Sequence, residues 1–181
     1  MGYNSVIMKL EGNQIYLRRL TEDDVTSTYV RWLNDPDINQ YLESRFCEHT
    51  IEDTRAFIRS VTNDSNYMFG IFDKATDAHI GNIKIGSINS RHLSADLGFM
   101  IGEKQYWGRG IATEAIRLAT DYAFNVLHLH KLWGGAYEPN IGSMRAFEKN
   151  GYQLEAVFRK HCKCGDEYVD VHEYGKLNED E

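Results

Sequence analysis

The chain has 181 residues, 42% of them hydrophobic, with a net charge of −7 and a pI near 5.5. That length and apolar content suffice to bury one core, so a single domain spanning residues 1–181 is expected. The acidic balance argues against general nucleic-acid binding, which needs a basic face, and no run approaches the roughly 20 apolar residues of a membrane-spanning helix.

Met1–Leu10 carries one lysine and no sustained apolar stretch, so no secretory leader is read there. Three cysteines, Cys47, Cys162 and Cys164, do not make a disulfide framework. A reducing, cytoplasmic setting is the expectation. Cys162 and Cys164, with His161 and His172, fall short of a convincing zinc set, and no metal is expected.

In chain order, Gln14–Leu20 alternates and is rich in β-formers, which predicts a first strand. Thr21 is a good N-cap for a helix over Glu22–Leu33, with Val25, Tyr29, Trp32 and Leu33 inward; Pro36 ends it. Asp37–His49 reads as irregular or weakly helical. Thr50 caps a second helix, Ile51–Val61, with Ala56, Phe57 and Val61 inward. Tyr67–Asp73 and His79–Ser87 form a hairpin, with Gly81 and Gly86 as candidate bulges. Ala95–Gly102 is the next strand. A loop then leads to a helix over Ile111–Leu127, whose Ile111, Ala115, Leu118, Ala119, Tyr122 and Ala123 form one buried face. Lys131–Tyr137 is a strand, Ile141–Lys149 a helix stopped at Asn150-Gly151, and Tyr152–Lys163 and Glu167–Lys176 are the last two strands. No internal repeat or domain boundary appears.

The chemistry concentrates in Gln105-Tyr106-Trp107-Gly108-Arg109-Gly110-Ile111-Ala112, between strand and helix. Two close glycines let the backbone approach a ligand, and the free N–H groups of a helix start, with the macrodipole, favour a phosphate. Arg109 can add charge and donors. It is not a triphosphate P-loop, because no Lys-Ser/Thr follows the second glycine. Nor is it a dinucleotide fingerprint, because Thr113 stands where the third glycine belongs.

The Gln105-x-x-Gly108-x-Gly110-x-Ala112 pattern resembles the acetyl-CoA pyrophosphate loop of the GNAT N-acetyltransferase superfamily. A second stretch, Asn140-Ile-Gly-Ser143-Met-Arg-Ala-Phe147-Glu-Lys149-Asn-Gly151-Tyr152, is similar to the family's N-x-x-S/A-x-x-x-Y-x-K-x-G-F/Y pattern. The element order resembles the same fold across nearly the whole chain. The resemblance implies an α+β (mixed α/β) architecture: a single central mixed, twisted and splayed sheet flanked by helices, in the order β-α-α-β-β-β-α-β-α-β-β. The branch it suggests includes ribosomal-protein N-terminal and amino-sugar-nucleotide acetyltransferases, and also aminoglycoside or polyamine acetyltransferases.

By the same resemblance, the chain is expected to transfer an acetyl group directly from acetyl-CoA, as co-substrate and without a metal, to a primary amine. That amine would be a protein N-terminus or a nucleotide amino sugar. Cofactor contacts are expected from Phe99, Met100 and Ile101 on the strand, from Gln105, Tyr106, Trp107, Gly108, Arg109, Gly110, Ile111, Ala112 and Thr113 on the loop and helix start, and from Asn140, Ser143, Phe147 and Lys149. An N–H near Met100 or Ile101 would hold the oxyanion. Many members carry a tyrosine acid where this chain has Phe147, which cannot donate a proton. Ser143, one turn earlier on the same face, is the candidate acid. It is equally a contact to the cofactor.

The attacking amine must lose a proton. Asp96 is the first candidate base, with a cross-strand ion pair as its alternative; Glu138 is the second, and Glu103 is set aside as a turn cap. Trp32, Tyr41, His49 and Tyr168 are candidates for the acceptor pocket, with Phe46, Arg91, His92 and His161 also available. A peptide or small-molecule amine is the expected partner, with no nucleic acid and no membrane, and the chain would be a monomer or homodimer. The loss of the usual tyrosine also motivates a different class, a non-catalytic acyl-CoA-binding module.

Overall fold

The computed structural model describes residues 9–62 and 65–179. Residues 1–8, on which most of the leader argument falls, lie outside the described residues. The first strands are β1 (Lys9–Glu11) and β2 (Ile15–Arg19). Three helices follow: α1 (Ser27–Asn34), α2 (Pro36–Asn39) and α3 (Ile51–Val61). Next come β3 (Tyr67–Asp73), β4 (His79–Asn89), β5 (Ser94–Ile101), α4 (Ile111–Asn125), β6 (Lys131–Tyr137), α5 (Ile141–Lys149), β7 (Gln153–Cys164) and β8 (Glu167–Leu177). The eight strands among the described residues join one sheet in the order β1-β2-β3-β4-β5-β6-β8-β7. The neighbours are antiparallel except β5 and β6, which run parallel. The expected mixed sheet with flanking helices is therefore present, with β1 and α2 added to the expected order.

The sheet has a hydrophobic layer on each face. On one side Ile15, Leu17, Phe69, Ile83, Leu97 and Leu132 meet Ile111, Ala115, Leu118, Ala119 and Tyr122 of α4, the helix face expected from its spacing. On the other, Leu20, Val25, Tyr29, Trp32, Ile58 and Met68 form a smaller cluster. Strand β4 carries a register shift beside Gly81 against β3 and another beside Gly86 against β5, where bulges were expected.

Three local expectations are corrected. The first helix does not start at Glu22. Asp24 turns back onto Thr21 and pairs with Arg18 at 2.6 Å, closing a single 3-10 turn over Glu22–Asp24. Thr26 then caps α1 by accepting from Tyr29 N. Second, Asp35 ends α1 and caps α2, with Pro36 in the first turn of α2; the missing N–H of proline costs nothing there. Third, α3 turns Thr54 and Ile58 inward and leaves Ala56 and Phe57 exposed. A buried threonine is compatible with this face because its hydroxyl donates to Thr50 O at 2.7 Å.

The feature that builds a site is the early end of the β5–β6 pairing. The two strands pair only at Ser94↔Lys131, Ala95↔Leu132 and Asp96↔Trp133, then part. Phe147 of α5, 1% exposed, sits at the parting. A Cβ on Gly134 would come within 2.5 Å of the Phe147 ring and 2.6 Å of Leu97 O. A Cβ on Gly135 would meet only Val171, at 3.4 Å. Gly134→Ala is therefore expected to destabilise the fold by about 1–3 kcal/mol, the usual range for overpacking, and Gly135→Ala by much less. Urea denaturation of both variants checks this; equal midpoints would show that the parting does not depend on that contact.

Candidate acyl-transfer site

The parting of β5 and β6 opens a cleft of about 760 Å³, within the range of about 300–1,000 Å³ common for ligand pockets. Its walls are Leu97–Ile101 of β5, Gly135–Tyr137 of β6, and the glycine loop. The start of α5 and the segment around Tyr41 complete it. Beyond Asp96 the backbone of β5 has no strand partner on its β6 side. Backbone donors and acceptors left open in this way can take an amide-bearing chain as an added strand. One of these acceptors is already used: Trp107 Nε1 donates to Ile101 O at 2.9 Å.

At the far end of β5 a 3-10 turn, Lys104–Tyr106, leads into the glycine loop. Gly108 and Gly110 have φ of +72° and +81°, in the left-handed region that favours glycine. A Cβ at either position meets nothing within 4 Å, so the demand is conformational and the space before the loop is open. Gly110 is the N-cap of α4 and offers no side-chain cap. The first N–H groups of the helix are thus left for an anion. Lys149 and Arg145 of α5 also line the cleft, and Asn150, next to Lys149, donates to Thr113 O of α4 at 3.0 Å. An acyl-CoA fits these features: the pyrophosphate on the helix start, the amide arm along β5.

The remaining cofactor candidates divide. Phe99, Met100, Ile101, Tyr106, Trp107, Gly108, Gly110, Ile111, Ala112 and Thr113 line the cleft, as do Asn140, Ser143, Phe147 and Lys149. Gln105 and Arg109 do not. Gln105 is exposed on its turn, and Arg109 lies over the Tyr106 ring. The Asn140 carboxamide caps α5 by accepting from Ser143 N at 3.3 Å, which ties both motif residues to the helix start.

The expected acceptor and base residues are mostly elsewhere. Trp32 is 0% exposed, with its indole N–H on Glu103 at 2.9 Å, so it is core. Glu103 also takes Arg31 at 2.8 Å. His49 is held by Ser44 O and Tyr168 is 63% exposed beside the β7–β8 turn; neither lines the cleft. Tyr41 does. Asp96 is paired with Lys84 at 3.2 Å, the ion pair left open as its alternative, at the closed end of the parting. Glu138 is exposed outside the cleft.

The wall of the cleft around Tyr137 holds residues that the sequence did not single out for acyl transfer. The Tyr137 hydroxyl donates to Glu43 Oε1 and receives Arg45 Nη1 at 3.1 Å. Cys162 Sγ faces the same Glu43 oxygen at 3.9 Å, so this cysteine is a cleft residue rather than a solvent-side one. Burial first, then the hydrogen bond to Glu43, holds the Tyr137 hydroxyl well above the usual phenol range. It is a protonated donor at neutral pH. The only signal in the sequence was that Tyr137 stands three residues before Asn140.

Comparison with known proteins agrees with this geometry. The acetyltransferase (GNAT) domain matches residues 14–153. The probable N-acetyltransferase YjcK of Bacillus subtilis (strain 168) is 34% identical over 179 residues, covering 95% of this chain and 98% of that protein. The spermidine N(1)-acetyltransferase of Escherichia coli (strain K12) is 27% identical over 144 residues, covering 79% and 75%. Among solved structures, the spermidine N-acetyltransferase of Vibrio cholerae in complex with CoA and spermine shares the fold, with a TM-score of 0.82 at 24% identity, covering 92% and 97%. A GNAT-family acetyltransferase from Bacillus anthracis has a TM-score of 0.81 at 24% identity, covering 95% and 99%. With a family domain over most of its length and a relative above 30% identity, the chain belongs to the GNAT acetyltransferase family, as an acetyl-CoA-dependent N-acetyltransferase.

Proposed function

We propose that the acceptor is a cationic primary amine, a polyamine or a peptide N-terminus, rather than a nucleotide amino sugar. The observation that carries this is the division of charge along one cleft. Lys149 and Arg145 line the α5 wall, and Glu43, with the Tyr41 and Tyr137 rings, lines the wall around Tyr137. Carboxylates beside π-faces suit an ammonium and disfavour an acceptor that carries phosphates of its own. The spermidine acetyltransferase among the relatives supports the same choice.

The residues then divide the work. The α4 N-terminus and the glycine loop bind phosphate, and the open edge of β5 orients the amide arm. The N–H of Ile101, which by strand alternation points away from β4, stabilises charge on the carbonyl oxygen, whereas that of Met100 is turned to β4. Bound acetyl-CoA supplies the activated acyl group. Phe147 closes the inner wall without offering a proton, and Ser143 is the hydroxyl on that wall that can donate one. A chain that only senses acyl-CoA would keep the loop and show no turnover.

Free thiol release with a panel of polyamines, N-terminal peptides and nucleotide amino sugars tests the acceptor. Turnover is expected with the cationic amines; turnover confined to the nucleotide sugars would reverse the choice. Ser143→Ala is expected to lower kcat about ten- to a hundredfold with little change in KM for acetyl-CoA, because the loss falls on the transition state. An unchanged kcat with a raised KM would reassign the hydroxyl to cofactor binding.

A further inference from the structure

We propose that Glu43 is a catalytic residue, the carboxylate that takes the proton from the incoming ammonium, and that Tyr137 and Arg45 are its positioning residues. The inference deepens the proposed function and rests on its amine acceptor.

The two faces of β6 carry different neighbours. The Cβ direction of Gly134 meets Phe147 of α5, and that of Gly135 meets Val171 of β8. Tyr137 is two residues beyond Gly135 and so shares its face. Its ring meets Tyr41 at 6.0 Å, edge-on, and its hydroxyl meets Glu43. This face lies across β6 from the α5 wall that carries Ser143 and Phe147. A proton acceptor here stands on the side from which an amine approaches, and the groups of α5 stand on the other.

Glu43 opens the 3-10 turn Glu43–Phe46, and its position does not depend on the backbone alone. The Tyr137 hydroxyl fixes one carboxylate oxygen. Tyr137 is in turn fixed by Arg45, whose guanidinium lies 4.1 Å from the Phe46 ring centre and also donates to Leu42 O at 2.6 Å and to Lys163 O. The Glu43 side chain is nonetheless 73% exposed, so a proton it receives can pass to water. The charged and titratable groups that face it are Tyr137, Arg45 at 3.9 Å and Cys162. His161, Asp37 and Tyr41 line the same cleft.

Three other candidate carboxylates are committed, and Glu138 does not line the cleft. Asp96 is paired with Lys84 at 3.2 Å. Asp37 is paired with Lys104 at 2.7 Å. Glu103 holds Arg31 and Trp32. Glu43, with Arg45 only at the edge of ion-pair distance, keeps its second oxygen for a substrate.

The step balances without a further reagent. An alkyl ammonium resembles lysine, with a pKa near about 10, so it arrives protonated. One proton goes from nitrogen to Glu43 and then to solvent. The freed lone pair forms the carbon–nitrogen bond as the carbon–sulfur bond breaks. The second nitrogen proton ends on sulfur, giving the amide and a free thiol.

The test is thiol release by the full chain from pH 6 to pH 10, with the amine that the wild-type protein turns over and with acetyl-CoA affinity measured by calorimetry. Glu43→Gln is expected to lower kcat about a hundredfold at neutral pH, the lower range for loss of a general base, with acetyl-CoA affinity unchanged. The deficit should shrink as pH rises, because free amine then supplies what the carboxylate no longer prepares. Glu43→Asp should retain the wild-type shape of the profile at a reduced rate. Tyr137→Phe should lower kcat about tenfold, with a smaller alkaline recovery. A Glu43→Gln protein within twofold of wild type overturns the proposal. So does a deficit confined to KM for the amine and independent of pH, which is the mark of a cation-binding carboxylate. Alkaline recovery found in Asp96→Asn instead would move the role to Asp96. A wild-type protein that turns over no amine overturns the functional proposal itself, and that outcome is read before any variant is compared.

Discussion

Three paired residues hold β5 to β6, and the rest of the site depends on the absence of a fourth. A parallel pair of strands buried in a sheet would normally continue, because each open N–H and C=O left away from water carries a cost. Here Phe147 and Gly134 meet at the place where the pairing stops. The ring occupies the space that a side chain on β6 would need, and the strands part around it. The open edge of β5, the glycine loop at its end and the start of α4 then lie along one cleft. A phosphate-bearing ligand with an amide arm satisfies all three in one binding event.

The same contact bears on the departure at position 147. Phe147 Cζ, the ring carbon that would carry a tyrosine hydroxyl, lies 2.5 Å from where a Cβ on Gly134 would stand. This chain instead uses the position as an apolar wedge, stacked on Tyr174 and tilted against Tyr152. In the proposed mechanism the polar chemistry lies in other places: Ser143 one turn earlier on α5, and Glu43 with Tyr137 across β6. On that assignment proton donor and proton acceptor stand on opposite walls, one for the leaving sulfur and one for the attacking nitrogen.

The glycine loop, α4 and α5 were legible in the sequence because their signals are local. The positive φ at Gly108 and Gly110, the apolar stripe of α4 and the Asn140 cap each depend on residues a few positions apart. The first fifty residues were read less well for the opposite reason. Thr21 and Thr26 are both plausible caps, and only the tertiary pair of Arg18 with Asp24 decides between them. Trp32 looked available for a pocket because nothing near it in sequence announces Glu103 as its partner. The candidate acceptor end was missed for the same reason. Glu43 and Tyr137 are 94 positions apart, and each alone is an ordinary residue on a turn or a strand end.

On this account the open edge of β5 and the glycine loop receive acetyl-CoA together. Amide hydrogen exchange with and without the ligand tests it directly. Added protection is expected in the Leu97–Met100 amides that do not bond to β4, and in Gly108–Ala112, with little change in the paired residues Ser94–Asp96. Protection confined to the loop, with the β5 amides exchanging as before, would show that the cofactor arm does not use the parting of the strands and would contradict the account.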